Sequence, residues 1–469
     1  MGTGWTIVLD VGKTLSKATL WNEAGQLAAS RSRPNLRVHT DEYPSLDTAG
    51  IESWLESVLK EFAALGPVDA IVPVAHGAAA ALILEDRLEC APMDYEWQGP
   101  ASDRKTYDEQ RDPFALTGSP ALPAGLNMGI QLHRIEALRN RSAGRIVPWA
   151  QYWSWQLSGV IASEFTSLGC HTDLWRPYEH QPSELAIRRG WAERLAPLTP
   201  AGATLGCLNK RWTTATGLSA NVEVVCGLHD SNAALMDARS HPDVQGSDAT
   251  VLSTGTWFVA MRAPLPTDSL TAAKLPRNRD CLVNVDVLGS PVPSSRFMGG
   301  REIEILAGRE GHAAGASSSQ GAQVEVAIRA IEAGHMILPT MVPGVGPFPD
   351  AQADIGGAPQ SALEAMARAH LYAALVADVS LDLIGSRDCV IVEGRFSQSP
   401  IFVRTLRSLR PDTRILVSGA DNGVACGALS LIQRKGPYTP LEPVAPLPID
   451  VIRYREEWRE RASHARGSS

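Results

Sequence analysis

The sequence predicts an α/β protein in two domains, each a mixed β-sheet covered by helices. Three observations predict it. With 469 residues, the chain is longer than one ordinary hydrophobic core serves. Apolar strand runs alternate with helical periodicity along most of it. And a strand, bend, strand beginning near the N-terminus recurs at residues 222–261, which reads as internal duplication of a ββββ-α type.

The elements follow in order. Thr6 to Asp10 reads as a buried strand, followed by strands Lys17 to Trp21 and Leu27 to Ser30, which the turn-like Asn22-Glu-Ala-Gly25 joins. Ile51, Trp54, Leu55, Val58, Leu59 and Phe62 recur at three- and four-residue spacing, predicting an amphipathic helix that ends near Gly66-Pro67. Val68 to Ala75 returns as a strand. In the second half, Val222 to Cys226 predicts a strand leading into Gly227-Leu-His-Asp230 and a short helix. Thr250 to Thr256 then bends into a strand over Trp257 to Met261. Residues 308–325, rich in Gly, Ala, Ser and Gln, read as a mobile loop bordering the active site. Ser361 to Ile384 predicts a long helix, and strand Cys389 to Glu393, helix Pro400 to Leu409, strand Arg414 to Ser418 and helix Asn422 to Gln433 complete the second sheet. The domains expected are residues 1–225, residues 226–436, and a segment 437–469, entered through the Pro-rich stretch Pro437 to Pro448, packing back on the first domain.

Composition narrows the function classes. A net charge of -8 over this length gives no field to gather nucleic acid or an anionic membrane, so any phosphate must be held by local groups. Seven scattered cysteines, none as Cys-x-x-Cys, suggest neither a disulfide framework nor a zinc site and fit a reducing cytoplasm. No apolar run approaches the roughly 20 residues of a membrane-spanning helix, and no signal peptide is evident. Met1-Gly2 with Thr6 matches a myristoylation pattern and Asn140-Arg-Ser142 a glycosylation sequon. Both are expected to be coincidences, the first because the next residues already read as a core strand.

Two bends carry the chemistry. Asp10-Val-Gly-Lys-Thr-Leu-Ser-Lys17 places a carboxylate at the end of a buried strand, then Gly12, which lets backbone approach a ligand, then Lys13, Thr14 and Lys17 as donors, a cradle of the kind phosphate oxygens need. It is not a P-loop, and read alone it fits an ordinary hairpin equally well. Ser253-Thr-Gly-Thr256 is a second such bend, which alone would pass for a plain turn. Asp230, where a strand hands over to a helix, suits either a helix cap or a general base. Gly394 follows a strand and would let the chain lie close to a nucleoside, as many strand-Gly-helix junctions would.

The set Asp10-Val-Gly-Lys-Thr with Lys17, Gly227-x-x-Asp230, Ser253-Thr-Gly-Thr256 and the Gly394 segment, in this order across nearly the whole chain, resembles the FGGY family of carbohydrate kinases. The resemblance implies two actin- and RNase H-like domains around a cleft that closes over sugar and ATP. It implies Asp230 as catalytic base, Asp10 as the partner of Mg²⁺, and Gly12, Lys13, Thr14, Lys17, Ser253, Thr254, Gly255 and Thr256 as ATP and phosphate contacts, with Gly394 and Arg395 beside the nucleoside. His76-Gly77 and Asp94 match the family's sugar-binding positions. Leu168-Gly-Cys-His-Thr-Asp-Leu-Trp175 is similar to the rhamnulokinase- and fuculokinase-like branch, which adds His171 as a substrate contact.

Three positions depart from the family's pattern: Lys13, where a small or hydroxyl residue is common; Pro92-Met-Asp-Tyr-Glu96, for the frequent Leu-Trp-x-Asp-x-Arg; and Glu393-Gly-Arg395, where a Gly pair is common. They bear on the identity of the sugar more than on the reaction. The expectation is an ATP- and Mg²⁺-dependent cytoplasmic kinase acting on a ketose such as L-fuculose or L-rhamnulose, with room for a homodimer and with no nucleic-acid or membrane partner. The alternatives are a kinase for xylulose, ribulose or a polyol, a sugar sensor on the same scaffold, and a nucleotide-switched ATPase.

Overall fold

The computed structural model describes residues 4–139, 142–265, 270–419, 423–432 and 440–464. Met1-Gly2, Asn140 of the sequon, the ends of the predicted helix 422–433 and the start of the Pro-rich connector at Pro437 lie outside the described residues. The chain divides into two compact units: residues 1–240, 283–292 and 422–438, and residues 241–282, 293–421 and 439–469.

The first unit is built on a sheet ordered Thr204–Cys207, Glu223–Val225, Val68–Ala75, Trp5–Val11, Leu15–Trp21, Leu27–Pro34, with Leu228–His229 also paired to Val68–Ala75. Side chains alternate along a strand, and here both faces are covered. Ile7, Leu9 and Val11 pack with Leu55, Leu59 and Phe62 of the helix Thr48–Ala63. Val8, Val72 and Val74 pack with Ala233 of Asp230–Ser240 and with Cys426 and Leu429 of Gly423–Leu431. Burial on both sides is why these strands read as unbroken apolar runs.

The second unit repeats the plan. Ala249–Thr254 runs antiparallel to Phe258–Ala263 and parallel to Cys389–Gly394, as Trp5–Val11 does to Leu15–Trp21 and Val68–Ala75. Cys389–Gly394 continues in parallel to Arg414–Ser418. Phe258 anchors the core, its ring 5.0, 5.2 and 5.4 Å from those of Phe297, Phe396 and Phe402.

Three expectations need correction. Residues 308–325 are not a loop but the end of the helix Gly299–Ser317 and the start of Gln320–Glu332, which Ser319 caps by accepting from Ala322 N. Gly311 and Gly315 lie against Met366, where small residues let two helices approach, and only Gly308 leaves helical geometry, at φ 63°. The boundary falls after Ser240 rather than near 225, because Leu228–His229 joins the first sheet and carries the next helix with it; Gly423–Leu431 packs on that helix as well. The C-terminal segment, expected on the first domain, is held on the second unit. Leu441–Pro443 pairs with Arg414–Ser418, and in the helix Ile452–His464 the Trp458 indole donates to Ile337 O at 2.7 Å while Arg455 and Arg459 clasp Asp378.

Candidate active site

Asp10 ends the central strand of the first unit, paired with Lys17 on one neighbour and Val74 on the other. The bend after it is closed by Gly12 N donating to Leu15 O at 3.0 Å, so tightly that a Cβ on Gly12 would lie 2.8 Å from that oxygen. Asn35, not singled out on the sequence, braces the bend: its Nδ2 donates to Gly12 O at 2.7 Å, its N–H to Thr14 O at 2.8 Å, and its Oδ1 accepts from Ser16 Oγ at 2.8 Å.

Gly227 brings Asp230 to this place. At φ 78° the chain presses on the neighbouring strand, where a Cβ would come 2.0 Å from Pro73 O, and Leu228 and His229 then pair with Val74 and Ala75. Asp230 thereby starts its helix beside the end of the central strands, its side chain 28% exposed. Its Oδ1 accepts from Ser231 N at 2.6 Å, so the carboxylate is steadied by the helix start and still reaches solvent. Desolvation first, and the charge of Asp230 second, push the Asp10 carboxyl up to about 7, with Lys17 opposing.

His229, to which the sequence assigns no role, lies beside Asp230. Buried, it receives Asn232 Nδ2 on Nδ1 at 3.2 Å, which leaves Nε2 3.3 Å from Asp230 Oδ1 and 3.4 Å from Cys170 Sγ. Burial lowers its pKa against the pull of Asp230, so the ring is neutral. Its N–H donates to Thr166 Oγ1 at 2.9 Å, and that hydroxyl donates to the buried Glu164 at 2.5 Å. Burial raises Glu164 to about 7.

Of the predicted sugar contacts, His76 and Gly77 lie near the same carboxylate. His76 donates Nδ1–H to Gly77 O at 2.5 Å; burial drops its pKa to about 4, and the charges of Asp230 and Lys13 both reach it. Gly77 is packed under Cys170 and His229, where a Cβ would meet Cys170 Sγ at 2.5 Å. Tyr95 sets its ring edge-on to His76, 5.5 Å between centroids, and also feels Asp230. Asp94 is fully buried and paired with the Lys13 ammonium. His171 donates Nδ1–H to Leu126 O at 2.7 Å, a bond that anchors its loop.

In the second unit the bend Ser253–Thr256 is closed as the first is, by Gly255 N donating to Trp257 O at 3.0 Å. Its hydroxyls differ in use. Thr254 is buried, its Oγ1 donating to Glu393 O at 2.5 Å and accepting from Phe396 N at 3.0 Å, and Ser253 donates to the Glu393 carboxylate; Thr256 is exposed. Gly394, at φ 81°, sits where a Cβ would be 2.4 Å from Thr254 O. Gly300 packs the helix Gly299–Ser317 directly on the bend, with a Cβ position 2.0 Å from Gly255 O. The Arg395 side chain is 58% exposed, 3.7 Å from Glu304.

Among the described residues, no helix is long and apolar enough to cross a membrane and no three His, Cys, Asp or Glu side chains cluster as a metal site. Residues 246–440 match the family model described as "Carbohydrate kinase FGGY, C-terminal domain". A solved structure of a carbohydrate kinase from Novosphingobium aromaticivorans is 47% identical, covering 97% of this chain and 100% of that one at a TM-score of 0.92. The chain belongs to the FGGY family of carbohydrate kinases. It is an ATP-dependent phosphotransferase of two α/β units. The kinase shares its fold at lower identity with a xylulose kinase from Lactobacillus acidophilus, 14% identical over 99% of each chain at a TM-score of 0.79. A Plasmodium falciparum glycerol kinase with ADP is 10% identical over 100% of each chain at 0.77. Comparison with curated proteins gives no match.

Proposed function

We propose that this kinase transfers the γ-phosphoryl group of ATP to a terminal primary hydroxyl of a ketose, with L-fuculose- and L-rhamnulose-like deoxy-sugars favoured. The observation that carries the reading is Asp230, a solvent-reaching carboxylate within the field of Asp10, His76 and Tyr95. The sugar oxygen attacks the γ-phosphorus as its proton passes to Asp230, the bond from that phosphorus to the β,γ-bridging oxygen breaks, and ADP departs with the electron pair.

His76, neutral and with Nδ1–H committed to Gly77 O, offers Nε2 as an acceptor to a sugar hydroxyl. Asp94 and His171 complete the proposed sugar contacts. Gly12, Thr14 and Lys17 hold phosphate oxygens at the first bend. In the second unit the same role falls to Ser253–Thr256, with Thr254 supporting the Gly394 turn and Gly394 and Arg395 beside the nucleoside. Asp10 fits Mg²⁺: a desolvated carboxylate pushed up by a neighbouring acid is relieved by a divalent cation, and Mg²⁺ binds through one or two carboxylates, water and phosphates. When bound, it neutralises developing phosphate charge.

The test is ADP release, coupled to a spectrophotometric signal, over L-fuculose, L-rhamnulose, xylulose, ribulose, gluconate and glycerol. A sugar that raises turnover well above the ATPase background, with the deoxy-ketoses leading, supports the proposal; a flat panel refutes it. Asp230→Asn is expected to cost about 10²- to 10⁴-fold in kcat while nucleotide affinity persists. Near-normal turnover removes Asp230 as the base.

A further inference from the structure

Asp94 is fully buried, where a carboxylate is tolerated only with partners. Oδ1 accepts from the Lys13 ammonium in a close ion pair and from Glu96 N at 2.9 Å. Oδ2 faces Arg37, whose Nε lies 3.3 Å away, yet Oδ2 completes no hydrogen bond and is a buried acceptor with unused capacity.

Lys13 is turned toward the same group of residues. Its side chain is 16% exposed, its ammonium lies 3.8 Å from Glu96 Oε2 and 5.0 Å from the centre of the Tyr95 ring, and its charge depresses the pKa of His76. A cation held in this way, against a buried carboxylate and over an aromatic face, is tied to the sugar-binding residues although its backbone belongs to the phosphate bend.

We infer that Lys13 and Arg37 set sugar specificity together with Asp94, and that Lys13 serves the sugar and not the phosphates. The two cations flank the buried carboxylate and aim it, so that Oδ2 accepts a substrate hydroxyl. The adjacent substrate oxygen accepts from Lys13 or Arg37. The class of substrate end this suits is a pair of neighbouring oxygens, one a hydroxyl donor and the other an acceptor, as in a vicinal diol or a hydroxyketone. A deoxy position there would leave Oδ2 buried and unpaired, which is how such a site rejects a sugar. The inference rests on the proposed sugar-kinase function.

The experiment uses the full chain as wild type, Lys13→Met, Lys13→Arg, Arg37→Met, Asp94→Asn and the Lys13→Met/Asp94→Asn double variant. The panel sugar with the highest kcat/KM is the sugar probe, and a non-hydrolysable ATP analogue with Mg²⁺ is the nucleotide probe. Lys13→Met and Arg37→Met are expected to raise the sugar KM on the order of tenfold or more, as for loss of a charged partner, with analogue affinity unchanged. Lys13→Arg should recover most of the loss, and the double variant should fall well short of the product of the single effects. Weakened analogue binding in Lys13→Met with the sugar KM intact, or multiplicative effects in the double variant, overturns the inference. A wild type inactive on every sugar refutes the kinase proposal instead, and the analogue titration of Lys13→Met still decides whether Lys13 is a phosphate ligand. If Lys13→Met fails to fold, Arg37→Met and Lys13→Arg carry the same comparison.

Discussion

Replacing Gly227 by alanine tests whether Asp230, the proposed catalytic carboxylate, is placed by backbone geometry. Two costs arise together. The residue sits at φ 78°, where a side chain costs about 1–2 kcal/mol. The new Cβ would also lie 2.0 Å from Pro73 O, a backbone atom of the adjoining strand that no rotamer change can move aside. Relief requires roughly an ångström of main-chain displacement, with an overpacking cost of about 1–3 kcal/mol. That displacement enters the pairing of Leu228 with Val74 and His229 with Ala75, one residue before Asp230. An error of about 1 Å in a catalytic group costs on the order of 10²-fold. Gly227→Ala is therefore expected to lower the thermal midpoint by several degrees and kcat by roughly a hundredfold, with nucleotide binding retained. Gly217 is the control: it has φ 77° with nothing within 4 Å of its Cβ position, so Gly217→Ala should show only the conformational cost and an unchanged kcat. Melting curves and coupled-assay kcat values for both proteins decide it. A Gly227→Ala enzyme with wild-type kcat, or one no less active than Gly217→Ala, would refute the reasoning.

Two further predictions follow from buried charge. Burial raises the Glu164 carboxyl from its usual 4.5 to about 7, so the folded form binds that proton more tightly than the unfolded form. The corresponding stability is complete below about pH 4.5 and lost as pH rises toward 7 and above. Asp10 moves the same way, so the informative quantity is wild type minus Glu164→Gln. That difference should fall by on the order of 2–3 kcal/mol between pH 5 and 8 in urea titrations, and parallel profiles would show that Glu164 is ionised throughout. Asp378, fully buried, accepts from Arg410 at 2.9 Å, Arg455 at 2.6 Å and Arg459 at 2.5 Å. Removing it as Asp378→Ala leaves a buried guanidinium short of its partner and should cost about 3–5 kcal/mol. The half-exposed Asp382→Ala should cost under about 1 kcal/mol in the same denaturation assay.

Much of the fold was legible because its central strands, such as Trp5–Val11 and Val68–Ala75, are buried on both faces. Val68–Ala75, Pro400–Leu409 and Arg414–Ser418 end where the sequence pattern ends. The misreadings share one physical cause, a tertiary contact overriding local composition. Gly311 and Gly315 look like loop residues until Met366 is laid against them, and the polar helix Ile452–His464 has no strong apolar stripe to say where it docks. Its position is set by Trp458, which donates to Ile337 O 121 residues earlier, and by Asp378, 77 residues before Arg455.

The candidate site was legible where its residues coincide with turns of chain geometry. Asp10 and Asp230 stand at a strand end and a strand-to-helix junction, and glycines next to them announce the bends. Side-chain partners over long separations left no such trace: Lys13 meets Asp94 across 81 residues and His229 meets Thr166 across 63. The two bends make the distinction sharp. Both are closed by a glycine N–H donating to a carbonyl two or three residues on, yet one is braced by Asn35 and the other by the Thr254 hydroxyl and Gly300. The two units therefore share a backbone arrangement and not the side chains around it. A hydroxyl in a Ser-Thr-Gly-Thr motif is thus no guarantee of a ligand contact: Thr254 uses its hydroxyl as both donor and acceptor within the protein, whereas Thr256 presents its side chain to solvent.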